Sequence, residues 1–359
     1  MNLVTLLEFV LFFGLMLFLH EFGHYILAKL FRINVDEFGF GFPPRLAKIG
    51  RLKETDITVN WIPFGAFVRL SGENDPAVPG GFGNAKPLKR VAVLLGGPIM
   101  NLLTGVILFA VLFGQVGIPD ASKVVISQVD DNSPAQTAGL QDGDLITEIN
   151  GVKIQNSDSL IALVQKNLGK DIEIGILRGE ETLTVHAIPR TDPPEGQGAL
   201  GIGMTNPIGK ASWSQTIPLA FQATYEQIKL TLQMPGMLIR GEVSGEDARV
   251  VGPVGMYSMF SQARQQDETS SSSSSTTSSS SLMTLQLMIA ISIALGLTNL
   301  LPIPALDGGR IFFMLPELLF NKPIPAKYEN LVNTIGFVAL LALMFFVTAQ
   351  DIINPIKLP

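Results

Sequence analysis

The chain has 359 residues, of which only 16% are charged, a net charge of −6 and a mean hydropathy of +0.36. Soluble domains carry about a quarter charged residues, so this composition excludes an ordinary soluble protein, and an acidic balance without a Lys/Arg-rich patch argues against a nucleic-acid partner. There is no cysteine, hence neither a disulfide nor a thiolate metal site.

Residues 1–31 form the first element. From Leu3 to Phe31 the chain is almost entirely Leu, Phe, Val, Met and Ile, long enough for a helix that crosses a bilayer, which takes about 20 residues. It lacks a basic leader and is too long for a cleaved signal peptide. Within it stands His20-Glu21-Phe22-Gly23-His24. Two histidines four apart on a helix share a face, so both imidazoles reach one metal, and the intervening glutamate is placed to take a proton from water. Ionisable groups at membrane depth are costly and face a protein interior or a water-filled cavity. A zinc hydrolase working within the bilayer is therefore expected.

Residues 32–90 are rich in aromatic and β-branched side chains with Gly and Pro interspersed, as in Glu37–Pro44 and Asp56–Leu70. Short strands and tight turns are expected there, either as a small ribbon or as a strand pair whose free edge holds an extended substrate near the site. The second apolar span is 91–113. Its Gly96-Gly97-Pro98-Ile99-Met100-Asn101 stretch permits close helix approach, and Asn101 can bond across helices.

Residues 119–190 alternate apolar strands with Ser133-Pro134-Ala135, Ala138-Gly139-Leu140, Gly143-Asp144 and Ile149-Asn150-Gly151, plus a helical stretch at Ser157–Leu168. That order resembles a PDZ domain, which captures peptides as an added strand. Residues 191–281 read as a linker carrying one amphipathic or buried helix (Trp213–Arg240), a turn-rich approach (Gly241–Gln266) and a flexible Ser/Thr tract, Thr269–Ser281. Residues 282–310 form the third span, and 331–352 the fourth.

Basic residues crowd the connection between the first two spans (Lys29, Arg32, Arg45, Lys48, Arg51, Lys53, Arg69, Lys86, Lys89, Arg90) and recur between the last two as Arg310, Lys322 and Lys327. The positive-inside rule places both connections in the cytoplasm, and both termini and the large central region outside it.

A catalytic zinc takes three protein ligands and an open position for water. The chain's third histidine, His186, lies in an apparent strand of the PDZ-like region. The better candidate is Asp307, in Asn299-Leu300-Leu301-Pro302-Ile303-Pro304-Ala305-Leu306-Asp307-Gly308-Gly309, where prolines break the third span and glycines give the backbone freedom. Broken backbone at membrane depth is tolerated where it lines a cavity. His20–His24 and Asp307 both lie toward the cytoplasmic ends of their spans.

HEFGH, IPFGAFVRLSGE, GGPIMN, the PDZ-like insert and NLLPIPALDGG follow one another in the order seen in site-2 proteases. The chain resembles their bacterial zinc metalloproteases of the sigma-E-regulator type over nearly its whole length. The resemblance implies an α-helical polytopic membrane protein of four transmembrane helices, with a cytoplasmic β-rich membrane-associated loop and an inserted extracytoplasmic PDZ-like α/β domain. It implies Zn2+ held by His20, His24 and Asp307, Glu21 as catalytic base, and Asn299 against the substrate backbone. The expected location is the inner (plasma) membrane, with the active site toward the cytoplasm. The expected partners are membrane proteins with a transmembrane helix, such as anti-sigma factors or remnant signal peptides, trimmed beforehand by another protease. One PDZ-like domain stands here where some members carry two, and the Ser/Thr tract is outside the family pattern. Two rivals remain: a non-catalytic PDZ membrane scaffold, which would bind no metal, and a transporter, which would show internal repeats.

Overall fold

The structure, a computed structural model, describes residues 3–73, 75–194, 196–243, 249–273 and 282–356. It divides into two compact units, one formed by Met1–Leu112 with Trp213–Pro359 and the other by Phe113–Ser212.

In the first unit, α1 (Leu3–Leu30) is apolar on every face, with Leu3, Leu7, Leu11 and Leu15 exposed. A helix apolar all round needs either a core or a bilayer around it, and here much of that surface faces outward. Strands β1 (Val35–Leu52) and β2 (Thr55–Leu70) pair antiparallel, in an unusual register. Phe38 faces both Val68 and Ile57, while Asp56 faces both Glu37 and Arg51. One long hairpin is thus folded over into four ribbons, in the order 45–52, 55–60, 35–42 and 66–70. The doubling needs sharp bends, and Gly41 (φ 77°) and Gly65 (φ 74°) supply backbone conformations that L side chains resist. Buried Glu37 knits the ribbons by accepting hydrogen bonds from Arg45 Nε (3.0 Å) and Thr58 Oγ1 (2.8 Å), with Arg69 Nη1 also 3.0 Å away. The short strands and tight turns expected from the sequence are thus present as bent segments of two continuous long strands. Helix α2 (Pro87–Val116) starts on a proline, whose missing N–H costs nothing in the first turn. It meets α1 backbone to backbone: a Cβ on Gly23 would lie 2.1 Å from Gly96 O.

The second unit holds β3 (Ile118–Pro119), β4 (Val124–Val129), α3 (Pro134–Thr137), β5 (Leu145–Ile149), β6 (Val152–Lys153), α4 (Ser157–Lys166), β7 (Ile172–Arg178), β8 (Glu181–Ala187), β9 (Ile202–Thr205) and β10 (Ile208–Gly209). The main sheet runs β8-β7-β5-β4-β9, with β6 on β5, and β10 pairs with β3 apart from it. Alternate residues of β4, β5 and β7 (Ile126, Ile146, Ile172, Ile174, Ile176) join Leu160 of α4 in one core. Ser133 caps α3, and an Asn156–Ser159 capping box starts α4. Asn150 (φ 49°) and Gly151 (φ 72°) make the tight turn between β5 and β6. The sequence boundary at 190 falls short, because β9 beyond it closes the sheet against β4. A groove of about 420 Å³ lies between α4 and β9.

The first unit resumes with α5 (Trp213–Ile239), α6 (Pro253–Ser273), α7 (Leu282–Leu300), α8 (Asp307–Phe320) and α9 (Ala326–Ile353). Among the described residues of 191–281 the chain forms β9, β10, α5 and a further helix, α6, rather than a linker with one helix. The expected turn-rich approach is helical from Pro253, and Thr269–Ser273 continue that helix. The rest of the Ser/Thr tract lies outside the described residues. The expected single segment 282–310 is two helices: α7 ends at Leu300, and after a turn containing Ala305 (φ 74°) the chain starts again as α8. Among the described residues, four helices are long and apolar enough to cross a membrane: α1, α2, α7 and α9.

Candidate metal centre

Helix α1 carries His20, Glu21 and His24 toward α2 and the start of α8. His24 Nδ1 lies 2.8 Å from the Val93 carbonyl, an acceptor, so in the neutral ring Nδ1 bears the proton and Nε2 a free lone pair. That lone pair faces His20 Nε2 at 3.2 Å and Asp307 Oδ2 at 3.4 Å, while His20 Nε2 lies 3.1 Å from the same oxygen. With both imidazoles neutral and Nε2 unprotonated, three acceptor atoms gathered in this way repel one another unless a cation lies among them. Ligands about 2.0 Å from a tetrahedral zinc stand about 3.3 Å apart, close to all three separations. The donor set, two imidazoles and one carboxylate, also fits zinc. It is the cluster that the described residues offer for a metal.

Asp307 reaches the histidines as the first residue of α8. The two glycines after it act through closeness rather than through the backbone freedom expected from the sequence, since neither has a positive φ. A Cβ on Gly308 would stand 2.3 Å from Leu300 O, and one on Gly309 would stand 2.1 Å from Ile303 O. Only bare backbone lets α8 begin so tightly against the preceding turn.

Glu21, His20, His24, Asp307 and Asn299 line one cavity of about 280 Å³. Its wall includes Phe67 and Val68 from the outer ribbon of β2, and the Val68 N–H donates to Glu21 Oε2 at 3.2 Å. The Asn299 amide donates to Leu295 O at 3.0 Å, which fixes its direction at the cavity edge. His186 is not in the cluster; it lies exposed on β8, with Nδ1 3.0 Å from Asp171 Oδ2.

Three features at the site have no clear sequence signature. Val93 acts through its carbonyl, which any residue would supply. Arg310 Nη1 and Glu73 Oε1, 2.6 Å apart, form an ion pair on the cavity wall. Asn101, fully buried, has Nδ2 3.2 Å from His20 Nδ1; the stretch around it signals close helix packing and gives no hint of the metal.

The profile of Peptidase family M50 matches residues 8–343. The chain belongs to that family. A Clostridium perfringens protein whose name describes a zinc metalloprotease is 34% identical over 345 residues, covering 96% of this chain and 97% of its own length. The Bacillus subtilis regulator of sigma-W protease, RasP, is 26% identical and covers 97% of this chain and 98% of its own. Among solved structures, a PDZ domain of an SdrC-like protein from Listeria monocytogenes is 27% identical, covering 23% of this chain and 87% of its own with a TM-score of 0.21. As a member of M50, the site-2 protease family, the chain is a zinc metalloendopeptidase of the intramembrane type, and its cofactor is Zn2+.

Proposed function

We propose that this M50 protease cleaves the transmembrane segments of other membrane proteins, with His20, His24 and Asp307 holding zinc and Glu21 moving the proton. The observation that carries the reading is the meeting of the three ligand atoms and Glu21 in one cavity beside a strand edge. Bound there, Zn2+ supplies the positive charge that acidifies water and polarises a peptide carbonyl. Glu21 accepts a proton as the water oxygen bonds to the carbonyl carbon, and returns it to the amide nitrogen as the C–N bond breaks.

A transmembrane helix hides its carbonyls in its own hydrogen bonds, so the substrate must be extended before attack. The outer ribbon of β2 (66–70) is the edge next to Glu21, and it offers backbone groups to an added strand. Asn299 supplies a polar group at the far side of the same cavity. Loop charge supports an inner-membrane topology, with the catalytic side toward the cytoplasm and the PDZ-like unit outside. Anti-sigma factors and remnant signal peptides are the substrate classes proposed, the former in line with the name of the Bacillus subtilis relative. Trimming by an earlier protease, with the PDZ-like unit excluding bulky substrates, completes the proposal.

The test is Glu21→Gln with a transmembrane reporter and metal analysis on the same preparation. Cleavage falls by at least about 10²-fold while zinc content stays at the wild-type level. Cleavage at the wild-type rate would sink the assigned mechanism. Asp307→Ala loses zinc as well as activity, and undiminished metal affinity would remove Asp307 from the ligand set.

A further inference from the structure

We propose that Asn101 is a positioning residue for the metal: its amide oxygen accepts the Nδ1–H of His20 and so turns Nε2 toward the zinc. The proposal rests on the metal site described above. A neutral imidazole that binds metal through Nε2 carries its proton on Nδ1. His24 shows the arrangement, with Nδ1 facing the Val93 carbonyl. His20 Nδ1 instead faces Asn101 Nδ2 at 3.2 Å, which sets a donor against a donor once Nε2 is a ligand. On the other side of the same carboxamide, Oδ1 is buried without a partner.

A single change resolves both anomalies. The two ends of a carboxamide are alike in shape, and a half-turn about its last bond exchanges them. The oxygen then receives the Nδ1–H, and the buried acceptor is no longer orphaned. Asn101 is 1% exposed, so water does not offer the same service. Its main chain is also tied down, since Ser292 Oγ donates to Asn101 O at 2.7 Å and links α2 to α7. Val93, Gly97 and Asn101 follow one another at intervals of four along α2, on one face. Val93 orients one histidine, Asn101 orients the other, and Gly97 leaves room for both rings.

The test measures zinc affinity of the detergent-solubilised full chain by chelator competition, with the absorption spectrum of the Co2+-substituted protein as a second readout. Asn101→Leu, of similar volume but with no acceptor, is expected to weaken zinc binding by about 10–100-fold and to change the Co2+ bands. Asn101→Asp keeps an acceptor and is expected to retain both affinity and spectrum. If Asn101→Asp binds as weakly as a His20→Ala control, or if Asn101→Leu matches the wild type in both readouts, the positioning role is wrong. If His20→Ala itself binds zinc like the wild type, the metal site fails and this inference fails with it.

Discussion

Gly97 is pressed against His24: a Cβ on it would stand 2.4 Å from His24 Nε2 and 2.6 Å from His20 Nε2. Those nitrogens are the two that face Asp307. A methyl group at Gly97 therefore pushes on the proposed ligand atoms themselves. Gly97→Ala is expected to weaken zinc binding at least about tenfold, on the scale of disturbed ligand orientation. Gly114→Ala on the same helix meets nothing within 4 Å and serves as the control. Chelator competition on both variants checks the prediction, and equal affinities would refute it.

The candidate ligands are legible because their chemistry is rare where they stand. Histidines and a carboxylate in apolar segments call for a reason, and spacing plus chain breaks supply one for His20, His24 and Asp307. Asn101 and the Val93 carbonyl had no such contrast, since an asparagine among small residues suits ordinary helix packing. Asp307 opens α8 rather than closing the third span, because prolines mark a break without saying that a new helix begins. The doubled hairpin was hidden for a different reason: its register is set by contacts between distant ribbons, such as Asp56 with both Glu37 and Arg51. Helix α6 was obscured by Val251-Gly252-Pro253-Val254-Gly255, whose turn signal proves to be a helix start.

Glu37 ties the ribbon that carries Val68 to the rest of the hairpin through Arg69, and Val68 in turn touches Glu21. Burial raises the Glu37 carboxyl pKa, but hydrogen bonds from Arg45 and Thr58 outweigh it and hold the group below the usual glutamate range. Glu37→Ala is expected to loosen the outer ribbon and lower reporter cleavage by about 10²-fold, the cost of a misplaced substrate. Zinc content should be unchanged, because no metal ligand is touched. Loss of zinc together with activity would show that the hairpin supports the metal rather than the substrate.

Asp144 in the PDZ-like unit makes a two-point pair with Arg178, at 2.8 Å to Nε and 2.7 Å to Nη2, and accepts the Gln141 N–H at 2.9 Å. Burial acts to raise its pKa, but these bonds win and lower it. A carboxyl lowered by folding adds stability that is fully present above the unfolded value, about 3.9. That contribution fades as pH falls through the folded value. The wild-type unit is therefore expected to lose stability below about pH 4, and Asp144→Asn should be less stable at neutral pH with a flatter acid dependence. Hydrogen exchange of β5 and β7 amides across pH 3–7 would test this. Parallel acid profiles for the two proteins would assign the loss to other groups.

Asp351 anchors α9. Much of that helix presents apolar side chains outward, including Ile335, Phe337, Phe345 and Phe346, so its attachment to protein depends on few points. One is Asn333 Oδ1, which accepts the Ala305 N–H in the turn before Asp307. Another is Asp351, 3% exposed, whose Oδ2 accepts the N–H groups of Gly252 and Gly255 at 2.9 Å each while Oδ1 receives Arg249 Nη2 at 2.9 Å. It thereby caps the beginning of α6 from a helix nearly a hundred residues away. Asp351→Ala takes the carboxylate partner from the half-buried Arg249 and leaves two helix-start donors without their acceptor. The expected cost is about 3–5 kcal/mol, seen as a lower thermal midpoint of the detergent-solubilised protein and faster proteolysis around 249–255. Asn333→Ala, which breaks a single neutral bond, should cost about 1 kcal/mol. If the two variants unfold at the same temperature, the buried carboxylate is not the stronger of the two anchors.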